Sequence, residues 1–289
     1  MLLVSCLNNT IVLSSNLRNA GSKLIWLTTK FIQKLEDVKM IQVIQANATS
    51  SEQSFPESIQ RLISNIKNQS AMVPTIAREC ILDARISPED LMGWADFDHP
   101  ITDSYGRKLI YHGGSFEIMV LSWAPGDYTT IHDHGASQWG AVQCFGEAED
   151  YMYTLTDGVL QTQKRLEFSS AQVKAVAEDM IHQMGNPGKF AFLSLHVYGG
   201  ENPNDSITSN SRIFDLFEGS IQRTDGAALF CLPEAEIKER HYGLQADANT
   251  TLRHHEKMRD RICRILAVQD NPLLRSKLAV LDKQMSQLK

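Results

Sequence analysis

The chain has 289 residues, 43% of them hydrophobic and 21% charged, with 17 Gly and 9 Pro. This length and mixture suit a folded globule of one large or two ordinary domains and exclude a disordered, collagen-like or low-complexity chain. Lys and Arg number 28 against 34 Asp and Glu, giving a net charge of −6, which argues against nucleic acid as a partner; no apolar run reaches the ~18 residues of a membrane-spanning helix.

Five cysteines, Cys6, Cys80, Cys144, Cys231 and Cys263, lie far apart with no C-x-x-C pair. Neither a disulfide framework nor a thiolate zinc cluster is expected, and a reducing, cytoplasmic location is the default. The stretch Met1 to Leu13 lacks a basic start and is broken by Asn8 and Asn9, so it makes a poor signal peptide. A plain N-terminal helix, or translation from Met40, fits the first forty residues better than a transit peptide. Residues 45–53 read as a linker.

Ser54, followed by Pro56 and Glu57, predicts a capped helix start, and Ile59, Leu62, Ile63 and Ile66 recur at helical spacing. A second helix fits Pro74 to Ala84, and Ser87-Pro88-Glu89-Asp90 opens a short third one. From Lys108 to Glu218 the texture changes to short runs rich in Val, Ile, Phe, Tyr and Thr, punctuated by Gly and Pro-Gly. Asp157-Gly158 is a strong hairpin signal, and the region reads as an antiparallel sandwich or barrel. From Pro233 onward a helical period returns. Leu266, Leu273, Leu274, Leu278, Leu281 and Met285 form an apolar stripe suited to core packing or to a contact between copies of the chain.

The strongest local pattern is Gly126-x5-His132-Asp133-His134. On a strand, two His one residue apart point to the same face, so both imidazoles can reach one metal while Asp133 points away. A lone His-x-His is weak, because surface strands also carry it. Here Gly146 closes the segment, and His182 with Asn186 follows. Further on, Ser194, His196 and Tyr198 share one strand face, a row able to relay hydrogen bonds. Upstream, Tyr105-Gly106-Arg107-Lys108-Leu109 places a guanidinium about one strand before the His pair, where it could clamp a carboxylate.

The paired motifs resemble those of the cupin superfamily. That resemblance implies a mainly β fold: a double-stranded β-barrel, or jelly roll, holding a metal in its mouth, here with an N-terminal helical layer and a C-terminal helical extension. The usual cupin Glu ligand falls at Trp139, which cannot bind a metal, so three ligands are expected, His132, His134 and His182. Three neutral imidazoles leave a divalent ion its full charge, better matched to an anionic thiolate than the +1 of a two-His, one-carboxylate site. Imidazole nitrogen suits iron, copper, nickel and zinc alike.

Taken together, Tyr105, Arg107, Leu109, Trp123, Gly126, the string Ile131 to His134, Ser137, His182, Asn186 and the Ser194 to Tyr198 string resemble the cysteine dioxygenase family, from about Asp103 to Asp225. The resemblance implies that His132, His134 and His182 bind Fe(II). Arg107 then pairs with the substrate carboxylate, with Tyr105 beside it. Tyr198 points at the substrate, held by His196 and Ser194. The partners are a small thiol and dioxygen, and the product of L-cysteine is its sulfinic acid. Residues 1–53 are then an N-terminal segment and linker, 54–232 the cupin domain with its helices, and 233–289 the extension.

At Trp139 animal members of the family have a Cys, cross-linked to the active-site Tyr, and many bacterial members a Gly. Trp139 excludes a thioether there and is expected to narrow the pocket near Tyr198. Cys144 reads as a small buried hydrophobe. His112 reads as a turn residue, and a second metal at His241, His254 and His255 is not expected. Three other readings stand beside L-cysteine: another thiol acid such as 3-mercaptopropionate, a cupin isomerase or oxygenase using another metal, and a non-catalytic binder of a small effector.

Overall fold

The N-terminal helices form where apolar side chains recur on one stripe. The computed structural model describes residues 5–7, 10–12, 55–201, 207–226 and 228–288. Ser5–Leu7 (β1) pairs antiparallel with Thr10–Val12 (β2) in a first unit; the expected N-terminal helix, the 45–53 linker and the Ser54 cap fall outside the described residues. In the second unit, Phe55–Lys289, α1 (Glu57–Lys67) buries Ile59, Leu62 and Ile66, and α2 (Pro74–Ala84) occupies the expected span. The four-residue α3 (Pro88–Leu91) is opened by a reciprocal cap between Ser87 and Asp90.

The strands form two facing sheets. One has the order β3 (Gly106–His112), β4 (Phe116–Trp123), β10 (Phe192–Gly199), β5 (Trp139–Cys144) and β8 (Val173–Ala177). The other runs β14 (Gln245–Ala246), β7 (Val159–Phe168), β6 (Ala148–Thr156) and β9 (Ile181–Gly185). Through a bridge at His132 it continues into β11 (Ser209–Asp215), β12 (Ser220–Asp225) and β13 (Glu239–Tyr242). Met119, Leu121, Trp123 and Val142 of the first sheet share a core with Phe168 and Met184 of the second. This is the expected jelly-roll barrel. A second core joins the outer face of β4, β5 and β10 to the N-terminal helices.

Between β6 and β7 the two turn residues, Asp157 and Gly158, have φ of 50° and 78°, the left-handed pair that a two-residue hairpin requires.

The C-terminal region departs from expectation. Two strands, β13 and β14, precede the helices. β13 is an edge strand whose residues are mostly exposed, so no apolar alternation marked it in the sequence. The helix α4 (Ala248–Val268) begins only after Asp247, whose carboxylate accepts from Thr250 N–H at 2.9 Å. It is followed by α5 (Pro272–Leu288). Of the apolar stripe, Leu281 and Met285 are buried against Met258 and Ile262 of α4 and Tyr128 of the barrel, whereas Leu273 is 82% exposed. No helix among the described residues is long and apolar enough to cross a membrane.

Candidate metal centre

The His pair lies on an irregular bridge and turn rather than on a regular strand. His132 bridges β9 on one side, opposite His182, and β11 on the other, opposite Ile213. Three residues on, Gly135 turns the chain at φ 58°, with the backbone of Ser209 and Ser211 too close for any Cβ. Asp133 secures the turn: its carboxylate accepts from Gly135 N–H at 3.2 Å, from Arg212 N–H at 2.7 Å and from the Arg212 guanidinium.

One donor atom from each of His132, His134 and His182 lies within 4.8 Å of the others. The second nitrogen of two of the rings is fixed from behind: His132 Nδ1 faces Thr130 O at 3.0 Å and His182 Nδ1 faces Asp150 Oδ1 at 2.9 Å. An outer partner of this kind sets the tautomer and presents the lone pair of Nε2 inward. His182 Nε2 and both ring nitrogens of His134 are buried with no hydrogen-bond partner. Buried polar atoms are seldom left so, and three imidazoles, each with one nitrogen close to the other two rings, are the donor set of a metal ion. Burial, and then the neighbouring imidazoles, push His132 down to about 3 and His134 well below the usual imidazole range, so the rings stay neutral and able to ligate.

Facing them is the β10 row. Ser194 Oγ lies 2.7 Å from His196 Nε2, and His196 Nδ1 lies 3.0 Å from the Tyr198 hydroxyl. The three side chains are buried and connected, so they form a relay rather than a chance polar face. Trp123 Nε1–H donates to Ser194 Oγ at 2.8 Å. Burial pushes His196 down to about 3, with His182, His132 and Arg107 adding to it, and pushes the Tyr198 phenol up. The Tyr198 ring packs on His134, centroids 5.0 Å apart.

His132, His134, His182, His196, Tyr198 and Trp123 line one cavity of about 40 Å³, together with Tyr105, Arg107, Met119, Leu121 and Met184. Arg107 is exposed, at the rim. Tyr105 is buried and stacks on Trp123 at 5.1 Å, and its hydroxyl accepts from Ala228 N–H at 3.3 Å. The expected residues Tyr105, Arg107, His132, His134, His182, His196 and Tyr198 therefore share one wall-to-wall space, with Ser194 one hydrogen bond behind. Asn186 does not reach it. Its amide donates to Trp123 O and Phe190 O and its oxygen accepts from Gly188 N–H, which organises the turn after β9.

Trp139 requires a correction. It packs in the outer core with the N-terminal helices and against Gly199, not in the metal cavity. The residue opposite Tyr198 in the register is Gly140, where an added Cβ would lie 2.6 Å from Tyr198 Cδ1. The pocket is thus not narrowed by an indole, and Gly140 offers no thiol for a thioether. Cys144 is buried, as expected.

Three contributors escaped the sequence reading: Asp150, Thr130 through its carbonyl, and Trp123 as a hydrogen-bond donor. Asp150 stood in plain view after Gly146, on the strand paired with β9. A carboxylate beside a ligand strand is the signal that could have found it. Glu149, next to it, points away to Tyr128 and Arg165. A further support comes from α4. Buried Arg261 pairs with Asp127 at 2.7 Å, and Asp127 closes the turn that leads into the His pair by accepting from Ala124 N–H. Among the tail histidines, His254 and His255 are buried neighbours on α4 and His241 lies on β13; among the described residues none joins a metal-type cluster.

The cysteine dioxygenase type I model matches residues 40–212. Cysteine dioxygenase type 1 of Danio rerio is 28% identical over 111 residues, covering 37% of this chain and 54% of that protein. The chain therefore spans about half the length of that curated relative. Among solved structures, the Cnp3 cupin domain of Schizosaccharomyces pombe aligns with TM-score 0.29 at 9% identity, over 37% of this chain and 68% of that one. An RmlC-like cupin protein from Desulfovibrio desulfuricans aligns with TM-score 0.26 at 14% identity, over 33% and 81%. With the family model covering more than half of the sequence and a three-histidine cluster seated in its barrel, the chain belongs to the cysteine dioxygenase type I family.

Proposed function

We infer that the protein is a non-heme Fe(II) thiol dioxygenase that adds both atoms of dioxygen to the sulfur of L-cysteine, giving cysteine sulfinic acid. The observation that supports this reading is the convergence of three imidazoles, of His196 and Tyr198 backed by Ser194, and of Arg107 on one small cavity.

His132, His134 and His182 would hold the iron, which supplies a +2 charge that favours the thiolate form of the substrate and activates dioxygen. The Arg107 guanidinium at the rim receives the substrate carboxylate, as a planar fork that fits two oxygens. The relay has a direction. Trp123 can only donate, so Ser194 Oγ accepts from it and passes its own proton toward His196 Nε2. Neutral His196 then carries its proton on Nδ1 and donates to the Tyr198 oxygen. With its oxygen thus occupied and its proton held by burial, Tyr198 directs O–H into the cavity as a donor toward the reacting sulfur and oxygen atoms. Met119, Leu121 and Met184 form an apolar part of the wall that limits water there.

A second thiol acid, 3-mercaptopropionate, is the alternative. Among the described residues the only carboxylate in the lining, Asp133, accepts from Arg212, so these residues offer no free counter-ion to a substrate ammonium. Oxygen uptake by the Fe(II)-loaded full chain, measured against L-cysteine, 3-mercaptopropionate and cysteamine with product mass, tests both. Two oxygen atoms added to L-cysteine with the highest kcat/KM are expected. A strong preference for 3-mercaptopropionate transfers the assignment to it, and no uptake with any thiol refutes the dioxygenase reading.

A further inference from the structure

A second cavity, of about 380 Å³, lies on the other side of His182. Its walls are mostly apolar, including Val142, Leu166, Phe168, Val176 and Met180, and it shares His182 and Met184 with the metal cavity. The His182 ring is the partition. Its Nδ1 is held by Asp150, which lines the apolar side, leaving Nε2 for the metal side. Beside the ring, Met184, unbranched and adaptable, is the other residue that lines both spaces.

The metal cavity is nearly ten times smaller, and its mouth is the place where Arg107 meets a substrate carboxylate. A thiol acid seated there closes that entrance. A second, apolar reactant then needs another way in. We propose that the Val142–Val176–Met180 cavity admits and concentrates dioxygen, delivering it past Met184 to the metal face of His182; this use rests on the dioxygenase reading. The cavity also carries Arg78, Lys164 and Lys174, which would suit an anionic amphiphile. Two of these are committed elsewhere. Arg78 donates to Val173 O and pairs with Glu79, and Lys174 lies over the Phe168 ring and 4.0 Å from Asp150. The apolar lining, with Lys164 at its edge, is what remains available, and apolar cavities take up small apolar gases such as xenon.

Xenon-pressurised crystals of the full chain test the site without any turnover. Xenon is expected against Val142, Val176 and Met184; xenon bound elsewhere but absent there overturns the proposal. Met180→Trp, which narrows the mouth, and Ala175→Phe, which intrudes on the lining, are the kinetic tests; whichever folds with parental metal content is used. The expected result is loss of the xenon and a rise of about fivefold or more in KM for dioxygen, with KM for the thiol and kcat at saturating dioxygen unchanged. Xenon excluded with KM for dioxygen unchanged overturns the route. Decanoate displacing xenon, with no change in KM for dioxygen on blocking, assigns the cavity to an amphiphile and also overturns it. If no thiol is oxidised at all, the functional reading fails, while xenon occupancy still decides whether the cavity takes up an apolar gas.

Discussion

His132 and His182 exchange both of their backbone hydrogen bonds, each N–H donating to the other's carbonyl oxygen at 2.9 Å. Two ligands 50 residues apart in the sequence are thus set opposite each other by the main chain itself, before any metal arrives. Side-chain variants at the site should therefore lose metal or activity without losing the barrel.

The outer partner of His182 is the first case. Asp150→Asn keeps the shape but removes the carboxylate that fixes the Nδ1 proton. Metal affinity is expected to fall by about 10–100-fold, against near-complete loss for His182→Ala. Competition with a chelator of known affinity measures both, and an Asp150→Asn affinity equal to the parent would remove Asp150 from the site.

In Tyr198→Phe the row ends without a hydroxyl. Metal content and KM are expected to hold, while kcat drops by about 10²-fold, the scale of a lost positioned proton donor. Ser194→Ala should cost less, because Tyr198 keeps its own hydroxyl and only the orientation of His196 weakens. Equal kcat for Tyr198→Phe and the parent would contradict the direction assigned to the relay.

Arg107→Ala is expected to act on binding. A charge-assisted pair contributes about 1.5–3 kcal/mol, less at an exposed rim, so KM for a thiol acid should rise about tenfold while KM for cysteamine, which lacks the carboxylate, stays put. A parallel rise for both substrates would show that Arg107 has no carboxylate to meet.

Gly140 leaves no space for a methyl group. Gly140→Ala sets a Cβ 2.6 Å from the Tyr198 ring and 2.9 Å from Val197 O. Overpacking of this kind costs about 1–3 kcal/mol, so a lower Tm and a displaced Tyr198 with reduced kcat are expected. Calorimetry and kinetics that match the parent would place the space elsewhere.

His254 should make stability depend on pH. Burial, then His255 and Lys277, push its pKa down to about 3; Asp215 lies 3.9 Å away but is tied to its own turn and to Gln222. Unfolded, the ring titrates near ~6.5. Between these values the unfolded chain binds the extra proton. Stability is thus lost as pH falls below ~6.5, by up to ~1.4 kcal/mol per pH unit from this group. Denaturant unfolding at neutral and acid pH should show a shallower slope for His254→Gln than for the parent; identical slopes would rule His254 out as a source.

Much of this was legible in the sequence because the signals were local. Asp157-Gly158 specified its hairpin, Pro74 to Ala84 its helix, and the alternation of Ser194, His196 and Tyr198 the face they share. Residues whose contribution depends on pairing across strands were not legible. Asp150 acts only because β6 lies beside β9, and Gly140, rather than Trp139, meets Tyr198 only because of the β5–β10 register. A register slip of one residue exchanges the two faces of a strand, and residue spacing alone does not determine it. β13 was missed for the complementary reason: an exposed edge strand carries no apolar period.

The Arg261–Asp127 pair has a consequence for where the chain can be divided. Both side chains are almost wholly buried, at 3% and 2% exposure. Ending the chain after residue 232 would take the guanidinium from Asp127 and leave its carboxylate only His99 Nε2 at 3.1 Å and the Ala124 N–H, a loss of up to about 3–5 kcal/mol for breaking a buried pair. That carboxylate sits at the entrance of the loop carrying His132 and His134. The last two helices are in this sense a brace for the loop of His132 and His134, and a chain trimmed to its barrel would be expected to bind a metal ion less tightly.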